Sequence, residues 1–188
     1  MIIACEASGD LHAAKLARAI KNRASDAFLF GIGGNAMQTE DVRILLHSRT
    51  LSVMGITEVL SKLPIIYRAM TTVKKALSRL KPDLLILIDS PDFNFHAAAA
   101  AKKLGIPVLY YISPQIWAWR QNRIHKIKRL VDHMAVILPF EAAFYRKHHV
   151  PVTFVGHPLL DGNMPTPERL PATTQLEGPV IGLIPGSS

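Results

Sequence analysis

The sequence predicts an α/β fold, in which a Rossmann-like, doubly wound and mostly parallel sheet is covered by helices on both faces. Short β-rich apolar runs alternate with helical patterns along most of the chain, which is typical of parallel sheets. The run Leu84–Ile88 is apolar on both of its faces, as expected for a strand at the centre of such a sheet. Gly105 and Pro107 then supply the helix stop and the strand start that this fold requires between its elements.

The predicted elements follow from these patterns in chain order. Strands are expected at the short apolar runs, which are Ile2–Cys5, Phe28–Gly31, Val42–Leu46, Leu84–Ile88, Val108–Ile112, His133–Leu138, Val152–Val155 and Val180–Ile184. Helices are expected where apolar residues recur every three or four positions, which are Leu11–Arg23, Val53–Leu80, Phe93–Leu104, Arg120–Leu130 and Glu141–His148. Pro64 lacks a backbone N–H, so we expect the second of these helices to break there.

The composition changes after Asp161. The stretch "GNMPTPERLPATTQLEGP" is rich in proline, threonine and glycine and has no periodicity, which is typical of a linker. It is followed by "VIGLIPGSS", a new apolar run that ends in a glycine turn. We therefore expect a Rossmann-like domain over residues 1–160, a linker over 161–178, and over 179–188 the first strand of a second domain that is truncated here.

The composition excludes several classes of protein. About half of the residues are apolar, which is ordinary for a soluble globular protein. The single cysteine, Cys5, excludes an internal disulfide framework and fits a reducing cytoplasm. No apolar run approaches the roughly 18 residues of a membrane-spanning helix, and Glu6 interrupts the first run too soon for a signal peptide. The formal net charge of +8 predicts an anionic partner: a nucleic acid, a phosphorylated small molecule or a membrane surface.

Two acids follow the central predicted strand. Ligands of open parallel sheets bind beyond the carboxyl ends of the strands, which is where Asp89 lies. A carboxylate there can take a proton from a hydroxyl if burial keeps its pKa close to the working pH. Asp92 is better placed to cap the helix that we expect from Phe93. The pair lacks a third acid or a nearby histidine, so a metal site is not expected.

Two glycine-containing motifs follow the first two strands. In "EASGD", Ser8, Gly9 and the helix amides could meet an anion or a sugar, although a capped turn explains this short pattern equally well. The stretch "GIGGNA", residues 31–36, matches the dinucleotide fingerprint. The acid about 20 residues further on, Glu58, falls inside a predicted helix and not at a strand end, which makes a nicotinamide site unexpected.

The stretch "YYISPQIWAWRQNRIHKIKRL" joins two tryptophans to a basic helix. Arg120 and Arg123 could bind a phosphate, and Trp117 or Trp119 could stack on a sugar or a base. A solvated basic face beside tryptophans that fill the core explains the same pattern, and the residues alone leave both interpretations open.

Apolar side chains are in excess over residues 51–70. The stretch has more of them than one buried stripe requires, which suits an apolar substrate groove or a membrane patch. Ordinary packing of a helix on the sheet accounts for part of this excess. Later in the chain, His157 follows another predicted strand and could line the cleft.

Several stretches together indicate a family. They are "EASGD", "LSVMGITEVL", "LKPDLLILIDSPDFNF", "YYISPQIWAWR", "LPFEAAFY" and "FVGHPLLD". In order and spacing they resemble the lipid-A-disaccharide synthases, inverting glycosyltransferases of family 19 that act in lipid A biosynthesis in Gram-negative bacteria. The resemblance covers essentially the whole chain, and its most specific part is "SPQIWAWR" joined to "IDSPDFN".

The resemblance implies a GT-B arrangement, in which two Rossmann-like domains face each other across a cleft and the second holds a UDP-sugar. It implies that the whole enzyme joins UDP-2,3-diacylglucosamine to 2,3-diacylglucosamine 1-phosphate, which forms the β(1→6) disaccharide and releases UDP. It further implies peripheral association with the anionic cytoplasmic face of the inner membrane, with no metal, no other cofactor and no nucleic acid. The oligomeric state stays open.

The resemblance and the residue chemistry together assign a candidate site. Asp89 matches the acid thought to act as general base on the 6-hydroxyl of the acceptor. Substrate contacts are expected at Ser8, Gly9, Asp10, Asn94, Gln115, Trp117, Trp119, Arg120, Arg123 and His157. Contacts with acyl chains or the membrane are expected at Met54, Leu63, Ile65, Ile66 and Met70.

The chain departs from the family pattern at its end. The family usually continues "PGSR", whereas Ser188 stands here in place of an arginine implicated in activity. The donor domain is also absent, so we expect this chain to be inactive alone. Two other classes of function are a stand-alone module that binds anionic lipid or membranes, and nucleic-acid binding through the basic helix. The predicted linker and the strand that follows it argue against both.

Overall fold

In a computed structural model, which describes residues 1–52 and 59–161, seven parallel strands form one sheet in the order β3-β2-β1-β4-β5-β6-β7. The strands are β1 Ile2–Ala4, β2 Phe30–Gly33, β3 Arg43–His47, β4 Leu85–Ile88, β5 Val108–Tyr111, β6 His133–Val136 and β7 Val152–Phe154. The predicted α/β fold with a parallel sheet is therefore confirmed. The predicted strand Val180–Ile184 lies outside the described residues, as does nearly all of the predicted linker.

Eight helices connect the strands within the described ranges. They are α1 Ala7–Arg23, α2 Asn35–Thr39, α3 Arg49–Ser52, α4 Val59–Leu80, α5 Pro91–Lys103, α6 Ile116–Trp119, α7 Ile124–Leu130 and α8 Pro139–Lys147. A 3-10 turn over Gln121–Arg123 precedes α7, so the predicted helix from Arg120 begins later than expected. The helices α2, α3 and α6 were not predicted, because four or five residues are too few to show a helical period.

The long helix α4 continues through Pro64, so the predicted break at that residue is wrong. Proline removes one hydrogen bond from a helix, but Pro64 lies near the start of α4. Further along, Ala69, Val73 and Leu77 are buried against the sheet. Their burial holds the helix together despite the missing bond, because packing of an apolar face dominates helix stability in proteins.

The core lies on both faces of the sheet. On one face, Ile2 and Ile88 pack with the alanines of α1. On the other, Leu85 and Leu87 pack with side chains of α4, α5, α7 and α8. All four residues of β4 are buried, which stabilises the fold by roughly 8 kcal/mol at about 2 kcal/mol for each side chain. The central strand is thereby fixed where the sequence predicts it.

The order in which strands are added to the sheet reverses at the boundary between β1 and β4, while all strands stay parallel. From β1 the sheet grows through β2 to β3, and from β4 it grows the opposite way to β7. The last residues of the two strands, Ala4 and Ile88, are partners in the parallel register. Crevices form beyond the carboxyl ends of strands at such switch points, so residues 5–10 and 89–94 meet there. No helix in the described ranges has the length and apolarity to cross a bilayer.

Candidate active site

The centre of the candidate site is a turn that directly follows β4. Asp89 and Ser90 have positive φ angles of 55° and 30°, a conformation that is uncommon for residues other than glycine and costs about 1–2 kcal/mol at each position. The backbone carbonyl of Asp89 accepts hydrogen bonds from Asn94 Nδ2 at 2.8 Å and from the hydroxyl of Tyr110. Asn94 Nδ2 also donates to the carbonyl of Ile88 at 2.9 Å. These buried donors hold the turn in its strained form.

The Asp89 carboxylate points into the crevice at the end of β1. Its two oxygens accept long hydrogen bonds from the backbone N–H groups of Cys5 and Glu6, each at 3.3 Å. Burial and, to a lesser extent, the nearby carboxylate of Glu6 together raise the pKa of Asp89 to about 7, against the lowering effect of these hydrogen bonds. Ser90 Oγ donates to Glu6 Oε1 at 3.1 Å, which keeps the second acid beside the first. A carboxyl group with such a pKa can accept a proton near neutral pH.

Gly9 provides the space that Asp89 occupies. A Cβ atom at Gly9 would lie 1.8 Å from Asp89 Oδ2 and 2.9 Å from its Cγ. Gly9 was predicted to contact substrate, and the structure places it against the candidate base instead of in open space. Ser8 is exposed in the first turn of α1, next to this contact. The close approach of α1 and the turn after β4 therefore depends on glycine at this position.

Asp10 has a structural role that sequence reasoning missed. Its carboxylate is buried and accepts hydrogen bonds from the backbone N–H groups of Gly34, Ala36 and Met37 at 2.6, 2.9 and 3.2 Å. Gly34 and Ala36 belong to the stretch that matches the dinucleotide fingerprint, and Met37 directly follows it. A Cβ atom at Gly34 would lie 2.6 Å from Asp10 Oδ2, so glycine at this position leaves room for the carboxylate that accepts the amides at the start of α2. We therefore treat Asp10 as a residue that positions α2.

Asp92 does not cap α5, so that prediction is wrong. The helix begins at Pro91, which puts Asp92 inside its first turn, and the N-cap Ser90 makes no side-chain cap bond. Asp92 instead pairs with Arg123, and Arg120 Nη1 lies 3.8 Å from its second oxygen. The Asp92 side chain is 78% exposed, so this cluster contributes at most about 1 kcal/mol for each pair. The two arginines predicted to bind phosphate thus share one acid.

The two tryptophans have different surroundings. Trp117 donates from Nε1 to Glu141 Oε1 at 3.2 Å and meets the ring of Phe140 edge-on at 4.7 Å, so packing explains its position. Trp119 is 70% exposed, and the guanidinium of Arg120 lies 4.5 Å from the centre of its ring. A cavity of about 490 Å³ lies beside this pair and is lined by Trp119, Arg120, Gln121, Asn122, Arg123 and Lys126. Gln115 is exposed just before α6.

An apolar cavity of about 740 Å³ lies next to the turn after β4. Its lining residues come from the ends of β1, α3, α4 and α5, and are Cys5, Glu6, Leu51, Leu63, Ile66, Tyr67, Met70, Ser90, Pro91, Asp92, Phe93 and His96. Three of the predicted acyl-chain residues line it. Ile65 is not among the lining residues and packs against the core. Met54 lies outside the described residues.

His157 lies over α1, which covers the opposite face of the sheet from the apolar cavity. Its Nδ1 accepts a hydrogen bond from the N–H of Leu159 at 3.3 Å. Lys15 Nζ donates to the carbonyl of Pro158 at 3.0 Å, which ties the loop to the helix. Burial lowers the pKa of His12, with further contributions from Lys15 and His157. The structure therefore places His157 on a different side of the crevice from the acyl-chain residues.

The described ranges contain no group of three His, Cys, Asp or Glu side chains arranged to hold a metal ion.

Comparisons with known proteins give a consistent result. A family model described as lipid-A-disaccharide synthetase matches residues 1–188. Similar curated proteins include lipid-A-disaccharide synthases from Geobacter metallireducens, 48% identical over 191 residues, Trichlorobacter lovleyi, 51% over 192, and Coxiella burnetii, 46% over 191. Each alignment covers 100% of this chain and 50% or 51% of the relative. The chain thus spans about half the length of the curated relatives that it matches.

Two solved structures share the fold. UDP-GlcNAc 2-epimerase from Neisseria meningitidis, bound to UDP-GlcNAc, has a TM-score of 0.54 and 16% identity, and the match covers 81% of this chain and 45% of that one. MurG from Acinetobacter baumannii has a TM-score of 0.50 and 17% identity, with 74% and 40% covered. At such identities the likeness concerns the fold alone.

Proposed function

Since the chain belongs to the lipid-A-disaccharide synthetase family, we propose that it forms the acceptor-side half of an inverting GT-B glycosyltransferase. The whole enzyme transfers 2,3-diacylglucosamine from UDP to 2,3-diacylglucosamine 1-phosphate, which yields the β(1→6) disaccharide and UDP. The observation that carries this proposal is a buried carboxyl group, Asp89, which has a pKa of about 7 and lies at the switch point of the sheet beside an apolar cavity.

In the proposed reaction, the 6-hydroxyl oxygen of the acceptor attacks the anomeric carbon of the donor sugar. The bond between that carbon and the UDP phosphate oxygen breaks, and UDP leaves with the electron pair. Asp89 takes the hydroxyl proton, so that no alkoxide has to form in water. A single displacement of this kind inverts the configuration at the anomeric carbon.

The environment of Asp89 supports the role of general base. A carboxylate with an ordinary pKa near 4 is a weak base at neutral pH. Burial and the repulsion from Glu6 raise the pKa of Asp89 to about 7, which brings it close to the working pH without protonating it fully. The strained turn, held by Asn94 and Tyr110, fixes the direction of the side chain before substrate binds.

The apolar cavity supports an acylated acceptor. Leu63, Ile66, Met70 and Phe93 line it, and Ser90 at its edge adjoins the candidate base. Each methylene of an acyl chain buried there contributes about 0.8 kcal/mol to binding. An acyl chain in the cavity would therefore bring the attached sugar ring to the turn that carries Asp89.

The exposed pair of Trp119 and Arg120 supports contact with the sugar phosphate. Arg120 is held only loosely by Asp92, at 3.8 Å, and its guanidinium already lies over an exposed aromatic ring. Arg123 is held more closely by the same acid. We therefore propose that the acceptor phosphate binds Arg120 first and competes with Asp92 for Arg123.

We also propose that the enzyme associates peripherally with the cytoplasmic face of the inner membrane, where both acylated substrates lie. Leu63 and Tyr67 support this, because they are 54% and 75% exposed on α4. The formal net charge of +8 supports attraction to an anionic lipid surface. The proposal includes no metal, no other cofactor and no nucleic acid.

The test uses the full-length protein that contains this chain. Replacing Asp89→Asn keeps the shape of the side chain and removes the base, so the rate of UDP release should fall about 100-fold or more with both lipid substrates present. The matched control is Asp26→Asn, since Asp26 is exposed and should leave the rate unchanged. Near-normal UDP release by the Asp89 variant would refute the base assignment. A wild-type protein that binds the lipids but releases no UDP would favour a lipid-binding module.

A further inference from the structure

The groove between α4 and α5 continues past the apolar cavity. Both helices run antiparallel to β4, because α4 leads into this strand and α5 leaves it. They therefore begin at the same edge of the sheet as Asp89 and lie parallel to each other. A second cavity of about 590 Å³ shares Met70 and His96 with the first. Its other lining residues are Lys74, Lys75, Ser78, Ala99, Ala100, Lys103 and Leu104.

The chemistry of the groove changes along its length. Near Asp89 the stripe of α4 that faces α5 is apolar, at Leu63, Ile66 and Met70. Further along the same helix it becomes cationic, at Lys74 and Lys75. On α5 the change is similar, because Phe93 lines the first cavity and Lys103 the second. An occupant of the whole groove must therefore combine an apolar part with an anionic part.

The three lysines carry positive charge that no described acid neutralises. Within residues 1–52 and 59–161, Lys74, Lys75 and Lys103 form no ion pair. By contrast Lys102, the neighbour of Lys103, pairs with Asp132 at 2.7 Å, and the arginines near α6 share Asp92. The groove thus presents unpaired cations of α4 and α5 beside apolar surface.

The spacing along α4 fits a membrane interface. Lys74 lies seven residues after Tyr67, which is about 10 Å along a helix at 1.5 Å per residue. The apolar, exposed end of α4 carries Leu63 and Tyr67. The headgroup layer of a bilayer is about 5–8 Å thick on each side, which is slightly less than this distance. Because side chains on a helix tilt toward its N-terminus, the ammonium group of Lys74 extends back to the phosphate level when the apolar end meets the hydrocarbon.

We propose that Lys74, Lys75 and Lys103 bind the phosphates of anionic phospholipids and fix the orientation of the protein on the membrane. In this orientation α4 enters the interface by its N-terminal end, and the crevice of Asp89 faces the bilayer that supplies the acylated substrates. The inference rests on the proposed function and deepens it, since it assigns the membrane contact to these lysines and leaves Arg120 and Arg123 to the substrate.

The test measures binding of the full-length protein to lipid vesicles. One set of vesicles is neutral phosphatidylcholine, and the other is an equal mixture with phosphatidylglycerol. The variant Lys74→Gln, Lys75→Gln and Lys103→Gln should bind the anionic vesicles on the order of 100-fold more weakly, because each lysine near an anionic surface contributes about a fivefold increase. Binding to the neutral vesicles, which depends on the apolar end of α4, should stay the same.

The matched control removes the same net charge from exposed positions outside the groove. It is the variant Lys128→Gln, Arg129→Gln and Lys147→Gln, and it should keep nearly all of the anionic-vesicle binding. Equal losses in the two variants would mean that only net charge matters, and no loss in the groove variant would remove the lysines from the interface. Either result would overturn the proposal.

A second measurement separates this inference from the proposed function. With substrates dispersed in neutral detergent, the wild type and the groove variant should release UDP with equal kcat and KM. If the wild type releases no UDP, the proposed function fails. The vesicle measurement still tests the membrane contact, because it does not depend on UDP release. If the KM for the acceptor rises about 100-fold in the groove variant, the lysines bind the substrate phosphate and the membrane assignment is wrong.

Discussion

Replacing Gly9→Ala should displace Asp89 and slow the reaction. The new Cβ would lie 1.8 Å from Asp89 Oδ2, whereas ordinary contacts begin at 3.4 Å. The carboxylate or the start of α1 must therefore move by about 1.6 Å, the difference between these two distances. A displacement of about 1 Å in a catalytic group costs about 100-fold in rate, so kcat for UDP release by the full-length enzyme should fall by at least that factor.

The matched control is Gly105→Ala. Gly105 has a φ of +72° and open space around the position of a Cβ atom, so this change should cost about 1 kcal/mol of stability through backbone strain and leave kcat unchanged. Alanine at position 9 would otherwise favour the helix by about 1 kcal/mol. A Gly9→Ala enzyme with normal kcat and a higher melting temperature would therefore refute the proposed contact with Asp89.

Three other predictions test the surroundings of the base and the cavity. Asn94→Ala and Tyr110→Phe each remove a donor to the Asp89 carbonyl, so kcat should fall about tenfold in each, whereas Tyr111→Phe should have no effect. Because the folded-state pKa of Asp89 is about 7 and its ordinary value 3.8, the wild type should lose stability as pH rises from about 4 to 7. Denaturant titrations at the two pH values should show a loss on the order of 4 kcal/mol in the free energy of unfolding of the wild type. The Asp89→Asn variant should not show this loss. Ile66→Trp should fill the apolar cavity and raise KM more for long acyl chains than for short ones, and an equal rise for both would contradict the assignment of the cavity.

The sequence predicts the fold well because its signals are local. The apolar run of β4 and the strands around it require no knowledge of distant residues. The six stretches that resemble lipid-A-disaccharide synthases also indicate the family, which the family model and the curated relatives confirm. The apolar excess over residues 51–70 predicted a substrate groove or a membrane patch, and three of the predicted acyl-chain residues, Leu63, Ile66 and Met70, line the cavity. The linker over 161–178 and the strand over 179–188 stay predictions.

The roles that the sequence could not resolve depend on long-range contacts. The local position of Asp92 before a predicted helix suggested a cap. Asp92 instead pairs with Arg123, 31 positions away, and a local pattern does not reveal such a partner. Asp10 binds amides 24 to 27 positions away, which no local pattern reveals. Trp117 and Trp119 are two positions apart, yet one packs against Phe140 and the other is exposed, because the short helix α6 turns them to different sides.

The pKa shift of Asp89 could also not be predicted from the sequence. Its position after β4 made it a candidate base, but the direction of its pKa shift depends on burial, on Glu6 and on two backbone amides of another strand end. These groups lie more than 80 positions away in the chain. Only the parallel register between β1 and β4 brings them together.

The pH dependence of kcat/KM for UDP release tests the central assignment most directly. For the full-length enzyme, the rate should rise with pH and level off with an apparent pKa of about 7, since the free enzyme needs ionised Asp89. The residual rate of the Asp89→Asn variant should show no such rise. A rise centred near pH 4, or one that persists in the variant, would contradict Asp89 as the general base.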